Sequence, residues 1–109
     1  MREERRRTVR YRFDAPAEVS DERGTLAVRV SEISLNGCYL QSVSPFPAGT
    51  PLLVKVFADG DFFEAHATVA YSQPSKGMGV AFHGLKPYFV AVLKKWLLAA
   101  MLGKRTPQG

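Results

Sequence analysis

The sequence predicts an all-β fold with a C-terminal helix, in which six antiparallel strands close into a barrel. First, apolar and polar residues alternate in several stretches between residues 9 and 84, and this period of two is typical of half-buried strands. Second, turn signals separate these stretches at short intervals. Third, after Gly84 the apolar residues recur at three and four positions, the spacing of one helix face. Short strands with closely spaced turns favour an antiparallel barrel.

The first two strands are predicted on either side of a turn at residues 21–24. Residues 9–19 form the first strand, and Pro16 indicates that this strand lies at an edge or contains a bulge, because proline has no N–H to donate. The second strand follows the turn. The residues expected to face inward are Tyr11, Phe13, Ala15, Ala17 and Val19 in the first strand and Leu26, Val28 and Val30 in the second.

Four further strands are predicted from the same alternation. A short strand at residues 38–40 follows Asn36-Gly37, a dipeptide that is typical of tight turns. Two alternating sets flank Asp59-Gly60 and predict a hairpin. Their inward residues are expected to be Leu52, Val54 and Val56, then Phe63, Ala65, Ala67, Val69 and Tyr71, and those of the last strand Met78, Val80 and Phe82.

A helix is predicted over residues 86–102, with Pro87 in its first turn and Gly103 at its C-terminal stop. We expect it to cap one opening of the barrel or to lie against the outside. A single domain then covers residues 1–109, with a flexible basic arm at 1–8, the barrel at 9–84 and a tail at 103–109. The apolar stripe of the helix consists of Phe89, Leu93, Trp96, Leu97 and Ala100.

Composition narrows the possible functions. The 109 residues carry a formal charge of +5, and the sequence pI is near 9.7, so the surface attracts polyanions such as nucleotides, nucleic acid or acidic lipid. Cys38 is the only cysteine, which excludes an internal disulfide. The apolar stretch 88–102 is too short to span a bilayer, and no secretory signal is present. We therefore expect a cytoplasmic protein without membrane insertion.

Catalytic chemistry is not indicated. His66 and His83 are far apart in sequence and have no ligand-type neighbours at metal-binding spacing. No paired carboxylates and no nucleophile with an adjacent base can be assembled from the sequence. We expect no enzyme activity, no metal and no cofactor.

Arginines dominate the N-terminus. Arg6 and Arg10 are four residues apart, which in extended chain places them on one side about 13 Å from each other. This distance suits a ligand with two charged or planar ends. Arginine pairs bidentately with phosphate, stacks on purines and matches the O6/N7 edge of guanine. Arg7 is expected to share this role.

A second cluster lies where the second strand runs into a turn. A carboxylate at Glu32 can accept hydrogen bonds from the N1–H and N2–H groups of guanine. Ser34 offers a hydroxyl to a base or a phosphate. Gly37 allows a positive φ and a close approach between the backbone and a ligand.

Together the two clusters resemble the PilZ domain signature, an RxxxR arm followed by D/N-x-S-x-x-G. The arm matches at Arg6 and Arg10, and the second motif matches at Ser34 and Gly37. The segment Gly77–Phe82 is similar to the family's G-x-G-V-x-F strand before the terminal helix. The resemblance covers residues 5–102. This sequence departs from the family pattern at Glu32, where the family has Asp or Asn.

The resemblance implies a bacterial receptor for the second messenger cyclic di-GMP. Such a receptor would clamp its ligand between the arginine arm and the Glu32–Gly37 turn, and reordering of the arm would transmit the signal to a downstream protein of, for example, motility or secretion machinery. The alternative is a PilZ-like adaptor that binds a protein and no dinucleotide, and Glu32 favours it. A barrel that binds single-stranded nucleic acid would need exposed aromatic residues. We expect no DNA binding, because the aromatics fall mainly on the inward phase of their strands.

Overall fold

The computed structural model describes residues 9–103, which form six strands and one helix. The arm at residues 1–8 and the end of the predicted tail, residues 104–109, lie outside this range. The elements are β1 (Tyr11–Asp21), β2 (Gly24–Ile33), β3 (Gly37–Gln41), β4 (Pro51–Ala58), β5 (Asp61–Gln73), β6 (Gly77–Gly84) and α1 (Pro87–Met101).

The six strands close into a barrel in the order β1-β2-β3-β6-β5-β4, and every neighbouring pair is antiparallel. The predicted fold class is confirmed. Closure comes from pairing between β1 and β4, which covers only residues 17–20 of β1. Pro16 lies just outside that pairing, beside a register shift between Arg12 and Ala15. A residue without an N–H is tolerated there, as the sequence predicts.

Inward alternation along the strands builds one apolar core, and Leu26 is one of two clear exceptions, the other being Tyr71. Val28 and Val30 are buried as predicted, but Leu26 is 41% exposed. The reason lies in the length of β3, which pairs with β2 only from Arg29 to Ile33. The first part of β2 therefore pairs with β1 only and has no neighbour on its other side, which leaves Leu26 at an open edge of the sheet.

Helix α1 caps one end of the barrel, which decides between the two placements predicted for it. The Trp96 ring lies 5.5 Å from the ring of Phe13 and 5.6 Å from that of Phe63, and both phenylalanines point into the barrel. Leu93 and Val92 are buried beside Trp96. Gly103 adopts a φ of +71° at the end of the helix, the left-handed conformation that glycine adopts most readily.

The capped end of the barrel also carries the predicted motif residues. Strand β1 begins there, β6 ends there, and the turn between β2 and β3 lies there, because neighbouring strands run in opposite directions. The helix and the Ser34 turn therefore share one end of the molecule.

Candidate functional site

A groove on the outer wall of the barrel brings together four of the predicted site residues. It encloses about 420 Å³, and Arg10, Glu32, Ser34 and Gly37 all line it. These residues come from the position just before β1, the end of β2 and the following turn, and the antiparallel pairing of β1 with β2 places them side by side. The other two predicted residues, Arg6 and Arg7, lie outside the described residues.

Arg10 and Glu32 form an ion pair across the groove, with 3.5 Å between Nη1 and Oε1. Both side chains are about half exposed. Ion pairs between exposed side chains stabilise a protein by at most about 1 kcal/mol. An anionic ligand can therefore displace the carboxylate from Arg10 at little cost.

Ser34 has a structural role in the turn. Its side chain is 4% exposed, its hydroxyl donates to the Gly37 carbonyl oxygen at 3.2 Å, and its Oγ accepts from the N–H groups of Asn36 and Gly37 at the same distance. The backbone N–H of Ser34 donates to the same carbonyl. The hydroxyl thus fixes the shape of the turn, and its direct contact with a ligand stays a prediction.

Gly37 has a structural role that differs from the positive φ considered in the sequence analysis, while its close approach to a ligand stays a prediction. Its φ is not positive, so the expectation of a left-handed turn residue is wrong. A Cβ at this position would instead overlap the carbonyl oxygen of Val80 on β6. The turn is held against β6 by a backbone hydrogen bond from Phe82 N–H to Asn36 O at 2.8 Å. Glycine is needed here because two strands approach closely.

Two tyrosines that the motif analysis did not include form one wall of the groove. The rings of Tyr39 and Tyr71 lie 6.2 Å apart with 34° between their planes. Glycines lie beneath them, since a Cβ at Gly77 would meet the Tyr39 ring and one at Gly79 would meet the Tyr71 ring. The two glycines of the G-x-G segment make room for an aromatic surface, and this pairing is the signal that would have identified the tyrosines.

Tyr71 was expected to face the core, and it is exposed instead. The register between β5 and β6 shifts between Val69 and Tyr71, so one extra residue, Ala70, reverses the alternation. Tyr39 is held by a hydrogen bond from its hydroxyl to Gln73 Oε1 at 2.5 Å. Partial burial, then Tyr71 and Glu32, raise the pKa of Tyr39. Its hydroxyl is therefore protonated at neutral pH.

The charge of the groove is nearly balanced in the part of the chain that the structure describes. There Arg10 is the only cation lining the groove, and Glu32 the only anion. A ligand with two phosphates needs further positive charge. The sequence supplies that charge nearby, because Arg5, Arg6 and Arg7 precede Arg10 within five residues.

Cys38 lies at the base of the groove as a buried thiol. Burial raises its pKa from the usual 9.0 to about 12. The thiolate is the reactive form, so at pH 8 we expect the native protein to react with iodoacetamide about a thousandfold more slowly than the unfolded chain. Stability should fall between pH 9 and pH 12, because there the unfolded state has lost the proton that the native state keeps.

Labelling followed by mass spectrometry, in buffer and in urea, tests this prediction. Cys38→Ala should lose less stability over the same pH interval. Equal labelling rates in the native and unfolded states would contradict the burial of the thiol.

Within residues 9–103, no three His, Cys, Asp or Glu side chains are arranged to hold a metal ion. Over the same range, no helix has the length and apolar character to cross a membrane.

Comparisons with known proteins agree with the six-stranded barrel and its C-terminal helix. The family model of the PilZ domain matches residues 4–99. No curated protein matches the chain significantly. Among solved structures, YcgR from Escherichia coli in complex with c-di-GMP matches with a TM-score of 0.77 and 16% identity, over 91% of this chain and 47% of that one.

Two further structures share the fold. The inhibitor of motility MotI/DgrA from Bacillus subtilis matches with a TM-score of 0.73 and 18% identity, over 93% of this chain and 53% of the inhibitor. The isolated PilZ domain of E. coli YcgR with c-di-GMP matches with a TM-score of 0.75 and 16% identity, over 93% of this chain and 95% of the domain. The chain spans about half the length of the motility inhibitor and of the longer YcgR chain.

Proposed function

The chain belongs to the PilZ domain family, and from this premise we propose that it is a receptor that binds cyclic di-GMP in the groove between Arg10 and the Ser34 turn. The observation that carries the proposal is that the pairing of β1 with β2 brings Arg10, Glu32 and the turn Ser34–Gly37 into one groove beside an exposed aromatic surface. PilZ domains bind ligands and do not catalyse reactions, so we propose no enzymatic step.

The residues of the groove match the chemistry of a guanine dinucleotide. The guanidinium of Arg10 can pair with a phosphate or with the O6/N7 edge of a base. Glu32, once released from Arg10, offers carboxylate oxygens to the N1–H and N2–H groups of guanine. Tyr39 and Tyr71 present ring surface on which a base can stack.

The proposed mechanism begins with exchange of partners at Arg10. The ligand phosphates replace the Glu32 carboxylate, and Arg6 and Arg7 add the positive charge that the groove itself lacks. The arm is thereby ordered across the groove. A downstream protein in the cytoplasm would then recognise the reordered N-terminal segment. The c-di-GMP complexes of YcgR, a protein of the same family, support this proposal.

The alternative function is that of an adaptor that binds a protein and no dinucleotide. The observations that favour it are the ion pair between Arg10 and Glu32 and the internal hydrogen bonds of Ser34. These contacts satisfy the charged and polar groups of the groove without any ligand.

Removal of the arginines is expected to weaken binding. Arg6→Ala and Arg10→Ala should each reduce affinity for cyclic di-GMP by about 1–3 kcal/mol, the magnitude of one bidentate arginine contact. Calorimetric titration measures the effect. Arg23→Ala is the matched control, because Arg23 lies in the β1–β2 turn and pairs with Asp21. Unchanged affinity in both variants would contradict the site, and no binding heat from the folded wild type would favour the adaptor.

Shortening Glu32 is expected to strengthen binding. Glu32→Asp keeps the carboxylate, but the side chain is one methylene shorter and loses its contact with Arg10. The free protein then lacks an exposed ion pair that stabilises it by at most about 1 kcal/mol. Because the ligand no longer has to break this pair, its affinity should rise by up to about fivefold. Glu32→Ala is the control and should bind more weakly, because no acceptor for guanine remains. Weaker binding by Glu32→Asp would show that the longer side chain itself makes the contact.

A further inference from the structure

A second groove, which we term the helix groove, lies between α1, the start of β1 and the Ser34 turn. It encloses about 460 Å³. Four of its large apolar side chains are half exposed, with exposed fractions between 49% and 56%; they are Val9, Leu35, Leu98 and Met101. Contiguous apolar surface of this kind marks an interaction site more often than scattered apolar residues do.

The rest of the chain offers little that could cover this surface. Residues 1–8 read MREERRRT and residues 104–109 read KRTPQG. Apart from Met1, these segments contain no large apolar side chain. Residues 1–8 and 104–109 therefore do not supply the apolar side chains that would bury the helix groove.

Charge indicates what kind of molecule fits. Lys94 lines the helix groove, Lys95 follows it, and α1 contains no Asp or Glu. Lys104 and Arg105 continue the positive charge in the sequence. In a symmetric dimer the same patch faces itself, so a second copy would bring these cations together. The complementary partner carries acidic residues beside its apolar ones.

We propose that the helix groove is a docking site for an acidic amphipathic helix of a partner protein. Such a helix would insert apolar side chains spaced at i, i+3 or i+4, and i+7. Its flanking carboxylates would face Lys94 and Lys95. The concave shape favours a helix over a lipid surface, because side chains of a helix can enter the groove whereas a bilayer presents a flat face.

The position of the helix groove links it to the proposed dinucleotide site. Asn36 lines both grooves, and Leu35 lies between Asn36 and Ser34 in the same turn. A movement of this turn would change both sites, and such a coupling is reciprocal. The coupling rests on the proposed function, whereas docking of the helix does not.

The probe for docking is a synthetic peptide that forms an amphipathic helix, with leucines along one face and glutamates at its flanks. It is titrated into the ¹⁵N-labelled full chain without any dinucleotide. We expect saturable NMR shifts that concentrate in α1 and at Leu35. Leu98→Glu should weaken binding about tenfold, since it removes an apolar contact and adds repulsion. Val43→Glu, an exposed residue away from the groove, is the matched control and should bind normally.

Several outcomes would overturn the proposal. These are absence of saturable shifts, equal binding of a peptide with lysines in place of the glutamates, or unchanged affinity in a folded Leu98→Glu variant. A concentration-dependent dimer that Leu98→Glu abolishes would assign the groove to a second copy. Co-sedimentation with phosphatidylglycerol vesicles that the same variant abolishes, without peptide binding, would assign it to a membrane. Because no dinucleotide is present, these results are independent of the calorimetric test of the proposed function.

Discussion

Trp96→Ala is expected to destabilise the protein by about 3–5 kcal/mol, the usual cost of truncating a buried tryptophan. The Trp96 side chain is 2% exposed and touches Phe13 of β1 and Phe63 of β5 within the barrel opening. Its loss leaves a cavity between these rings and weakens the attachment of α1 to the barrel. Small domains have marginal stability, so a large fraction of the variant should unfold at moderate temperature.

Urea unfolding followed by circular dichroism measures this effect, since the variant lacks the only tryptophan of the chain. Leu98→Ala is the matched control, because Leu98 is on the same helix and half exposed, and its loss should cost much less. Trp96→Phe should retain part of the stability by keeping an aromatic ring against Phe13. A destabilisation below about 1 kcal/mol for Trp96→Ala would contradict the role of the helix as a cap of the core.

The barrel could be predicted because most of its strands keep one face in the core from end to end. In β1, every second residue from Phe13 to Val19 is buried, so the period of two in the sequence maps directly onto the structure. Leu26 and Tyr71 are exceptions, and neither exception can be predicted from the alternation of apolar and polar residues. Leu26 lies where β2 extends beyond β3 and has no neighbour on that side, and Tyr71 follows an extra residue in β5.

The helix placement needed tertiary information. The spacing of Phe89, Leu93 and Trp96 indicates an apolar face but not the surface that receives it. That surface is the barrel opening, where Phe13 and Phe63 project from strands that are distant in sequence. Val92, which the predicted stripe omitted, is buried as well, because a helix that closes an opening is covered over more than one row of side chains.

The parts of the candidate site that depend on local sequence could be predicted, and the parts that depend on packing between strands could not. Arg10, Glu32, Ser34 and Gly37 were identified from two short motifs, and they line one groove. The contact between Arg10 and Glu32 joins the residue just before β1 to the end of β2 and has no sequence signature. Tyr39 and Tyr71 meet only because β3 and β5 both pair with β6. An aromatic residue opposite a strand glycine is the pattern that could have found them.

Gly37→Ala is expected to have the second large effect, because it acts on the fold and on the candidate site together. The added Cβ would overlap the carbonyl oxygen of Val80, and a backbone atom cannot move aside as the end of a side chain can. Relief requires separation of β3 from β6 at the Gly37–Ala81 pair. Overpacking of this kind costs about 1–3 kcal/mol, and occasionally more.

The same displacement would alter the groove. Gly37 supplies both an N–H and a carbonyl to Ser34, so moving it removes the hydrogen bonds that shape the turn. We therefore expect Gly37→Ala to lose affinity for cyclic di-GMP even under conditions in which it remains folded. Thermal unfolding measures the first effect, and titration at low temperature measures the second.

Gly84→Ala is the control for a different explanation, namely that β6 and its neighbours do not tolerate any larger residue. A Cβ at Gly84 would lie 3.4 Å from the Cβ of His66, which is an ordinary van der Waals contact. Stability and binding should therefore stay close to those of the wild type. If Gly37→Ala behaved like Gly84→Ala, the two strands could separate without cost, and the close approach at Val80 would not be what requires glycine. If instead Gly37→Ala were destabilised but bound the dinucleotide normally, the turn would contribute to the fold alone, and recognition would rest on Arg10, Glu32 and the tyrosines.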